Sequence, residues 1–283
     1  MNEAELSTSL GMNTEGVNIY NCYVNSRYLS IKHSSYFQVY QDLLEEYRGK
    51  EIVFVEIGVL NGGSLFMWRD YLGPKARIIG VDLNPLAKKW ESSGFEIFIG
   101  SQADVDFWHN LFKAIGSVDV ILDDGGHTNE QQIVTASVCI PYIRDGGLLI
   151  VEDTHSSYMN DFGNPSKYSF MNFVKRLMDG VNSRFPAVHD LRHTLSALVY
   201  SIGIFESIVC FKIDRNKCFM SAPTSNGGIS SDAADFRYHN SRAMRLNDFL
   251  TFQLKRIGIR FSAKTFFSKI DQKLIGIKLR RYF

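Results

Sequence analysis

The stretch from residue 52 to residue 82 constrains the fold of this chain more than any other. It runs from an apolar, β-branched strand through three glycines and a helical pattern to a second apolar strand and an acid: Ile52–Ile57, Gly58, Gly62, Gly63, Ser64–Leu72, Ile78–Val81 and Asp82. This order predicts a nucleotide-binding βαβ unit, in which the final acid accepts hydrogen bonds from ribose hydroxyls.

The glycine spacing separates two classes of ligand. A dinucleotide fold has the pattern G-x-G-x-x-G, whereas Val59 stands at the position of the second glycine, which argues against a nicotinamide-dependent dehydrogenase. The observed pattern, E-x-G-x-x-x-G-G-S from Glu56, resembles the first motif of class I methyltransferases that use S-adenosylmethionine (SAM). The resemblance implies that Glu56 lies near the methionine amino group and that Gly58 lets the backbone approach the ligand. The alternative is an ordinary strand–turn–helix with a chance cluster of glycines.

Beyond this unit, apolar strands alternate with helical patterns. Strands are predicted at Glu96–Ile99, Val118–Leu122 and Gly147–Val151, and helices at Asp104–Ile115 and Asn129–Ile143. Such strands are typical of a parallel sheet covered by helices on both faces. Residues 191–202 and 207–213 predict a late antiparallel hairpin, which is also how class I methyltransferase sheets end. The predicted fold class is therefore α/β, a Rossmann-like, doubly wound, mostly parallel sheet with a helical C-terminal extension.

Three segments are predicted along the chain: an N-terminal helical segment or cofactor lid at 1–48, a SAM-binding catalytic domain at 49–217, and a linker with a basic helical extension at 218–283. Residues up to about Asn25 predict a frayed start, and Tyr28–Tyr47 predicts a helix or helix pair. Lys32 and His33 are either solvated or part of a segment that folds over the cofactor.

Acidic residues follow two strands that are expected to be neighbours. Asp123 and Asp124 end one strand, and Glu152 and Asp153 end the next. Three of these carboxylates, on Asp124, Glu152 and Asp153, would repel each other unless a cation or protonation offsets their charge, and all-oxygen ligands favour Mg²⁺ or another hard divalent ion. His127 is then placed to take a proton from an acceptor hydroxyl. The alternative is that these residues are helix caps and solvated turns.

The motifs EIGVLNGGS, GVD, IGSQAD, LDDGGHT and VEDTHSSY together resemble the metal-dependent sugar O-methyltransferases of macrolide antibiotic biosynthesis and the cephalosporin-hydroxylase-like group, over roughly residues 31–212. The resemblance implies Mg²⁺ on Asp124, Glu152 and Asp153, with His127 as the general base. It also implies a set of SAM contacts: Glu56, Gly58, Ser64, Asp82, Gly100, Ser101, Gln102 and Asp123. The family commonly has G-D-Q where this chain has Gly100-Ser101-Gln102.

These motifs predict a SAM- and Mg²⁺-dependent O-methyltransferase that acts on a sugar hydroxyl of a glycan or a glycosylated metabolite. A catechol or phenol methyltransferase keeps the same fold with another acceptor. A scaffold protein that binds SAM without chemistry is the alternative outside the enzymes.

Charge and hydropathy limit the partners. The formal net charge of +1 gives no overall attraction to nucleic acid, and neither a secretory signal nor a membrane-spanning run is found, so a cytoplasmic location is expected. The C-terminal patterns Leu246–Gly258 and Lys264–Leu274 predict helices. Basic and apolar residues alternate there, either as a solvated face or as an anchor to the anionic inner membrane surface. The sequence leaves homo-oligomerisation open.

Overall fold

The computed structural model describes residues 18–162, 166–186, 188, 193–229, 241–259 and 263–282. The chain divides into two compact units, residues 1–223 and residues 224–283. Among the described residues, no helix is long and apolar enough to cross a bilayer. The three segments expected from the sequence stay a prediction.

Seven strands of the described residues form one sheet in the first unit. They are β1 (Val53–Ile57), β2 (Arg77–Asp82), β3 (Glu96–Ile99), β4 (Val118–Asp123), β5 (Ile143–Val151), β6 (Val199–Phe205) and β7 (Ile208–Ile213). They lie in the order β3-β2-β1-β4-β5-β7-β6. The first five are parallel, and β7 runs antiparallel to both β5 and β6. This confirms the predicted doubly wound sheet with its late hairpin.

Helices cover both faces of the sheet. Those of the first unit are α1 (Ile19–Val24), α2 (Tyr36–Leu44), α3 (Gly63–Leu72), α4 (Val105–Ile115), α5 (Asn129–Cys139) and α6 (Phe170–Asn182). Alternate strand residues point to opposite faces. Phe54 of β1 therefore packs in the cluster that contains α1–α3, and Val55 in the cluster that contains α4–α6. Both residues are fully buried, which explains the unbroken apolar runs in the sequence.

The described part of the N-terminal segment differs from its prediction, and residues 1–17 of the predicted frayed start lie outside the described residues. Residues 18–25 are not frayed, because α1 is capped by the Asn18 side chain, which accepts a hydrogen bond from the backbone N of Asn21 (2.8 Å), and its Ile19 is fully buried. Within the predicted helix Tyr28–Tyr47, only residues 36–47 are helical, and residues 29–33 have no regular structure. Tertiary contacts of residues 26–33, described below, explain the departure.

The hairpin and one helix also differ from the prediction. The first strand of the hairpin begins at Val199 rather than Leu191, and residues 194–197 form a short 3₁₀ helix. Part of the segment before it, residues 189–192, lies outside the described residues. Helix α6 was not predicted. In the structure Ser169 caps this helix, and Phe170, Val174 and Leu177 are buried at helical spacing.

The second unit contains two α-helices among its described residues, α7 (Arg242–Arg256) and α8 (Lys264–Leu279), in contact with each other. Both start or end a few residues from the predicted limits. Helix α7 begins earlier because the Ser241 side chain accepts a hydrogen bond from the backbone N of Met244 (3.0 Å).

Candidate functional site

A cavity of about 630 Å³ opens at the carboxyl ends of the parallel strands, beside β1 and β4. Strand order reverses at this point, which is where open α/β sheets bind their ligands. Eight of the predicted site residues line the cavity: Gly58, Asp82, Gly100, Ser101, Gln102, Asp124, His127 and Asp153. The other four are buried outside its wall: Glu56, Ser64, Asp123 and Glu152.

Asp82 holds the loop that follows β1. Its Oδ2 accepts hydrogen bonds from the backbone N of Val59 (2.8 Å) and of Leu60 (3.1 Å), and its Oδ1 accepts one from the backbone N of Asn84 (2.7 Å). Each carboxylate oxygen can accept more than one hydrogen bond. Asp82 therefore fixes the glycine turn and keeps acceptor capacity toward the cavity.

Glu56 and Ser64 hold the same turn from inside the protein. Glu56 is fully buried, and its carboxylate accepts hydrogen bonds from Ser64 Oγ (2.9 Å) and from Trp68 Nε1 (2.8 Å). Burial raises the pKa of Glu56 to about 7, against the opposing charge of Lys32. The pair joins β1 to α3, and its predicted contact with a ligand stays a prediction.

Gln102 connects the loops after β3 and β4. Its Nε2 donates to Asp123 Oδ1 (2.8 Å), and its Oε1 accepts from the backbone N of Gly126 (2.9 Å). Asp123 is fully buried, and burial raises its pKa to about 6 although the hydrogen bond from Gln102 lowers it. Ser101 lies beside Gln102 on the cavity wall.

A lysine from the N-terminal segment lies among the acids. Lys32 Nζ is 2.7 Å from Asp124 Oδ2 and 3.0 and 3.1 Å from the two carboxylate oxygens of Glu152. The Tyr40 hydroxyl donates a further hydrogen bond to Glu152 Oε1 (2.5 Å). Burial lowers the pKa of Lys32, but the charges of Asp124 and Glu152 outweigh it and hold that pKa above its usual range. Lys32 is therefore a buried, charged ammonium.

The imidazole of His127 lies between two carboxylates. Its Nε2 is 3.3 Å from Asp153 Oδ2 and 3.9 Å from Asp124 Oδ1, whereas its buried Nδ1 has no hydrogen-bond partner among the described residues. Both His127 and Asp153 have left-handed backbones, with φ of 57° and 55°. The Tyr36 hydroxyl donates to Asp153 Oδ1 (2.5 Å) and accepts from the Asp153 backbone N (3.2 Å). Strained backbones of this kind cluster at functional sites.

Comparison with known proteins agrees with the fold. Residues 55–154 match the family model described as a methyltransferase domain. A structure of the MycE methyltransferase from the mycinamycin biosynthetic pathway, in complex with Mg and SAH, superposes with a TM-score of 0.60 at 21% identity, over 78% of this chain and 57% of that one. The chain has a class I methyltransferase fold.

Curated relatives are similar to this chain over part of their length. Demethylmacrocin O-methyltransferase of Streptomyces fradiae is 30% identical over 200 residues, which is 62% of this chain and 50% of the relative. The 8-demethyl-8-alpha-L-rhamnosyl tetracenomycin-C 2'-O-methyltransferase of Streptomyces olivaceus is 29% identical over 171 residues, 54% of this chain and 45% of the relative. The chain spans about half the length of the curated relatives it matches.

Part of the acidic cluster in this methyltransferase fold suits a divalent cation. Asp124, His127 and Asp153 each offer a ligand atom, and these atoms lie within 4.8 Å of one another on the cavity wall. Two carboxylate oxygens suit a hard ion such as Mg²⁺, which keeps other positions for water and substrate oxygens. Glu152 is not in this group, and both of its oxygens accept hydrogen bonds from Lys32. Its predicted role as a metal ligand stays a prediction.

Sequence reasoning offered Lys32 as part of a segment over the cofactor, but it missed the contacts that Lys32, Tyr36 and Tyr40 make with the acids. Both tyrosines are buried, with their hydroxyls on Asp153 and Glu152. A signal was available for the tyrosines, because Tyr36 and Tyr40 are four apart on α2 and a buried tyrosine hydroxyl needs a polar partner. Their partners, however, lie more than 90 residues away.

Proposed function

We propose that this chain is a SAM- and Mg²⁺-dependent O-methyltransferase that methylates a sugar hydroxyl of a glycan or glycosylated metabolite. The observation that carries the proposal is the position of His127, on the wall of the cavity and between the carboxylates of Asp124 and Asp153. The relatives' names support a sugar as the acceptor, since they specify a rhamnosyl tetracenomycin and an olivosyl oleandolide as substrates.

The donor SAM binds, in this proposal, where the loops after β1, β2 and β3 meet. Gly58 has no side chain, so the ligand can approach the backbone there. Asp82 accepts hydrogen bonds from the ribose hydroxyls, and residues 100–102 border the adenine side. Glu56, Ser64 and Asp123 act through the loops they hold, since none of them lines the cavity. A cavity of about 630 Å³ is large enough for a ligand of this size.

The acceptor hydroxyl is activated by the acids and the imidazole. Asp124 and Asp153 would hold the divalent cation, which would supply the positive charge that makes an acceptor hydroxyl more acidic. His127 Nε2 faces the acids, so it accepts the hydroxyl proton only if the ring proton is on Nδ1. A cation on the carboxylates would compete with the hydrogen bond from Nε2 to Asp153 and so would leave Nε2 able to accept a proton.

A methyl-transfer assay tests the proposal. The full chain is incubated with methyl-labelled SAM and, in parallel, with demethylmacrocin, mycinamicin VI, other glycosylated acceptors and a catechol. We expect transfer to a sugar-bearing acceptor that EDTA abolishes and Mg²⁺ restores. Transfer to the catechol alone would favour the phenol methyltransferase. SAM binding by calorimetry without transfer to any acceptor would favour the scaffold.

We also propose that the second unit contacts an anionic membrane surface. Phe249 and Phe252 of α7 are 57% and 61% exposed, one helical turn apart, and basic side chains such as Arg245, Lys255 and Lys273 accompany them on α7 and α8. Exposed aromatic and basic residues on a helix are typical of interfacial binding. Sedimentation with vesicles containing phosphatidylserine should decrease when residues after 241 are deleted. Equal sedimentation with and without them would refute this contact.

A further inference from the structure

The ammonium of Lys32 is surrounded by carboxylate oxygens and has almost no contact with solvent. The side chains of Lys32 and Glu152 are each 1% exposed, against 22% for Asp124. A lysine ammonium has three N–H donors and no acceptor, and here its partners are one oxygen of Asp124 and both oxygens of Glu152. Lys32 is therefore fully engaged with two of the three clustered acids.

The carboxylate oxygens of the cluster have two different sets of partners. Glu152 is hydrogen-bonded to buried side chains, since Lys32 contacts both of its oxygens and Tyr40 donates to one of them. The oxygens that face His127 are Oδ1 of Asp124 and Oδ2 of Asp153. A divalent ion placed on Glu152 would lie close to the ammonium, and two cations at such a distance repel strongly in a buried site.

We infer that the Lys32 ammonium acts as a permanent cation within the acidic cluster. It binds both oxygens of Glu152 and so limits the divalent ion to Asp124 and Asp153. The inference rests on the proposed function, because it concerns the same metal site. Lys32 offsets one carboxylate charge and withholds a third ligand. It therefore weakens divalent-cation binding, and it is a positioning residue rather than a catalytic one.

The segment that carries Lys32 is anchored independently of the ammonium. Residues 26–33, here called the strap, are held by Ser26 Oγ, which donates to the carbonyl oxygen of Gly63 (2.8 Å), and by the Tyr28 ring, 4.5 Å from that of Trp90. The Tyr23 hydroxyl donates to the carbonyl oxygen of Ser30 (3.2 Å). A substitution of Lys32 is therefore expected to leave the strap in place.

The experiment measures Mn²⁺ binding to the full chain, by the loss of the free Mn²⁺ signal in electron paramagnetic resonance, with no acceptor present. We expect Lys32→Met to bind Mn²⁺ roughly ten-fold or more tightly than the natural chain, since a repelling charge is removed and Glu152 is released. Lys32→Arg, which keeps the charge, and Lys50→Met, which removes an exposed lysine, should match the natural chain. Adding Glu152→Gln to Lys32→Met should abolish most of the gain.

Equal or weaker binding in a folded Lys32→Met chain would overturn the inference while leaving the metal-dependent function intact. Loss of Mn²⁺ binding in every chain would overturn both. If Lys32→Met does not fold, single variants at the acids decide. Glu152→Gln should then leave Mn²⁺ affinity within about three-fold, and Asp153→Asn should weaken it roughly ten-fold or more. The reverse order would overturn the inference.

Discussion

A Cβ atom on Gly58 would lie 2.0 Å from the carbonyl oxygen of Asp124, so these two residues meet backbone to backbone where β1 and β4 end. Two hydrogen bonds flank the contact: Gly58 N donates to the carbonyl oxygen of Val81 (2.8 Å), and Asp124 N donates to that of Ile57 (3.0 Å). The glycine turn and the loop that carries His127 are therefore fixed relative to each other. In the proposed reaction, this contact would align the donor site with the acceptor site.

Replacement of Gly58 should disturb both sites. Gly58→Ala introduces the 2.0 Å clash with backbone that cannot rotate away, at a φ of +91° that L-residues rarely adopt. We expect SAM affinity to fall roughly ten-fold or more and the free energy of unfolding to fall by about 2 kcal/mol or more. Calorimetric titration with SAM and urea unfolding measure the two effects.

Gly94 offers the matched control. Its φ is +84°, but a Cβ there would meet nothing within 4 Å. Gly94→Ala should therefore cost only the backbone strain, about 1 kcal/mol, and leave SAM affinity unchanged. If Gly58→Ala bound SAM as tightly as Gly94→Ala, the contact with Asp124 would have no part in the donor site.

The Tyr36 hydroxyl should matter for turnover as well as for stability. Tyr36→Phe removes both hydrogen bonds that hold Asp153 in its left-handed conformation. We expect kcat to fall roughly ten-fold and the free energy of unfolding to fall by about 1–2 kcal/mol. Tyr47→Phe is the control, because its buried hydroxyl donates to the carbonyl oxygen of Gly146 (2.6 Å) outside the site. It should lose comparable stability with kcat unchanged, and a parallel loss of kcat in both variants would contradict the role of Tyr36.

Glu56 should make stability depend on pH. Burial raises its pKa from 4.5 to about 7, with Lys32 lowering it and Asp124 raising it. A carboxyl whose pKa is raised by folding binds its proton more tightly in the folded state, so the free energy of unfolding falls as pH rises from about 4.5 to about 7. The difference corresponds to about 3 kcal/mol.

Comparison with Glu56→Gln isolates this effect from that of Asp123, whose pKa is also raised by burial. Between roughly pH 5 and pH 8, the free energy of unfolding should fall less in the variant than in the natural chain. Urea unfolding at several pH values measures this difference. Equal slopes in the two proteins would show that Glu56 does not titrate in this range.

The sheet and the wall of the cavity could be predicted because their signals are local. The strand that ends at Ile57 and the acid at Asp82 are recognisable in short windows, and parallel strands bring their carboxyl ends together. The contacts of Lys32 could not be predicted, since it reaches Asp124 and Glu152 across 92 and 120 residues and no local pattern encodes such a pairing. Long-range contacts of this kind also override the helical pattern at residues 28–33.

The hydrogen bonds of Glu56 were not predicted, although a local sequence pattern indicates them. The sequence resemblance placed it beside the ligand, and the structure gives its oxygens to Ser64 and Trp68. These two residues are four apart on α3 and so face the same way. A serine and a tryptophan on one face of a helix, directly after a strand with a buried acid, predict a hydrogen-bonded anchor. That local signal could have been used.

His127 should be required for transfer but not for donor binding. We expect His127→Ala to lower kcat by roughly 10²–10⁴ while SAM affinity stays within about three-fold, because general bases contribute to the chemical step. His155 is the matched control: its Nδ1 also lies near Asp153, at 4.0 Å, but its side chain is 45% exposed and outside the cavity wall. His155→Ala should keep kcat within about three-fold. Added imidazole should partly restore turnover of His127→Ala, which a purely structural role would not allow. A base at this position is excluded if both variants lose kcat equally, or if imidazole has no effect on a folded His127→Ala chain that still binds SAM.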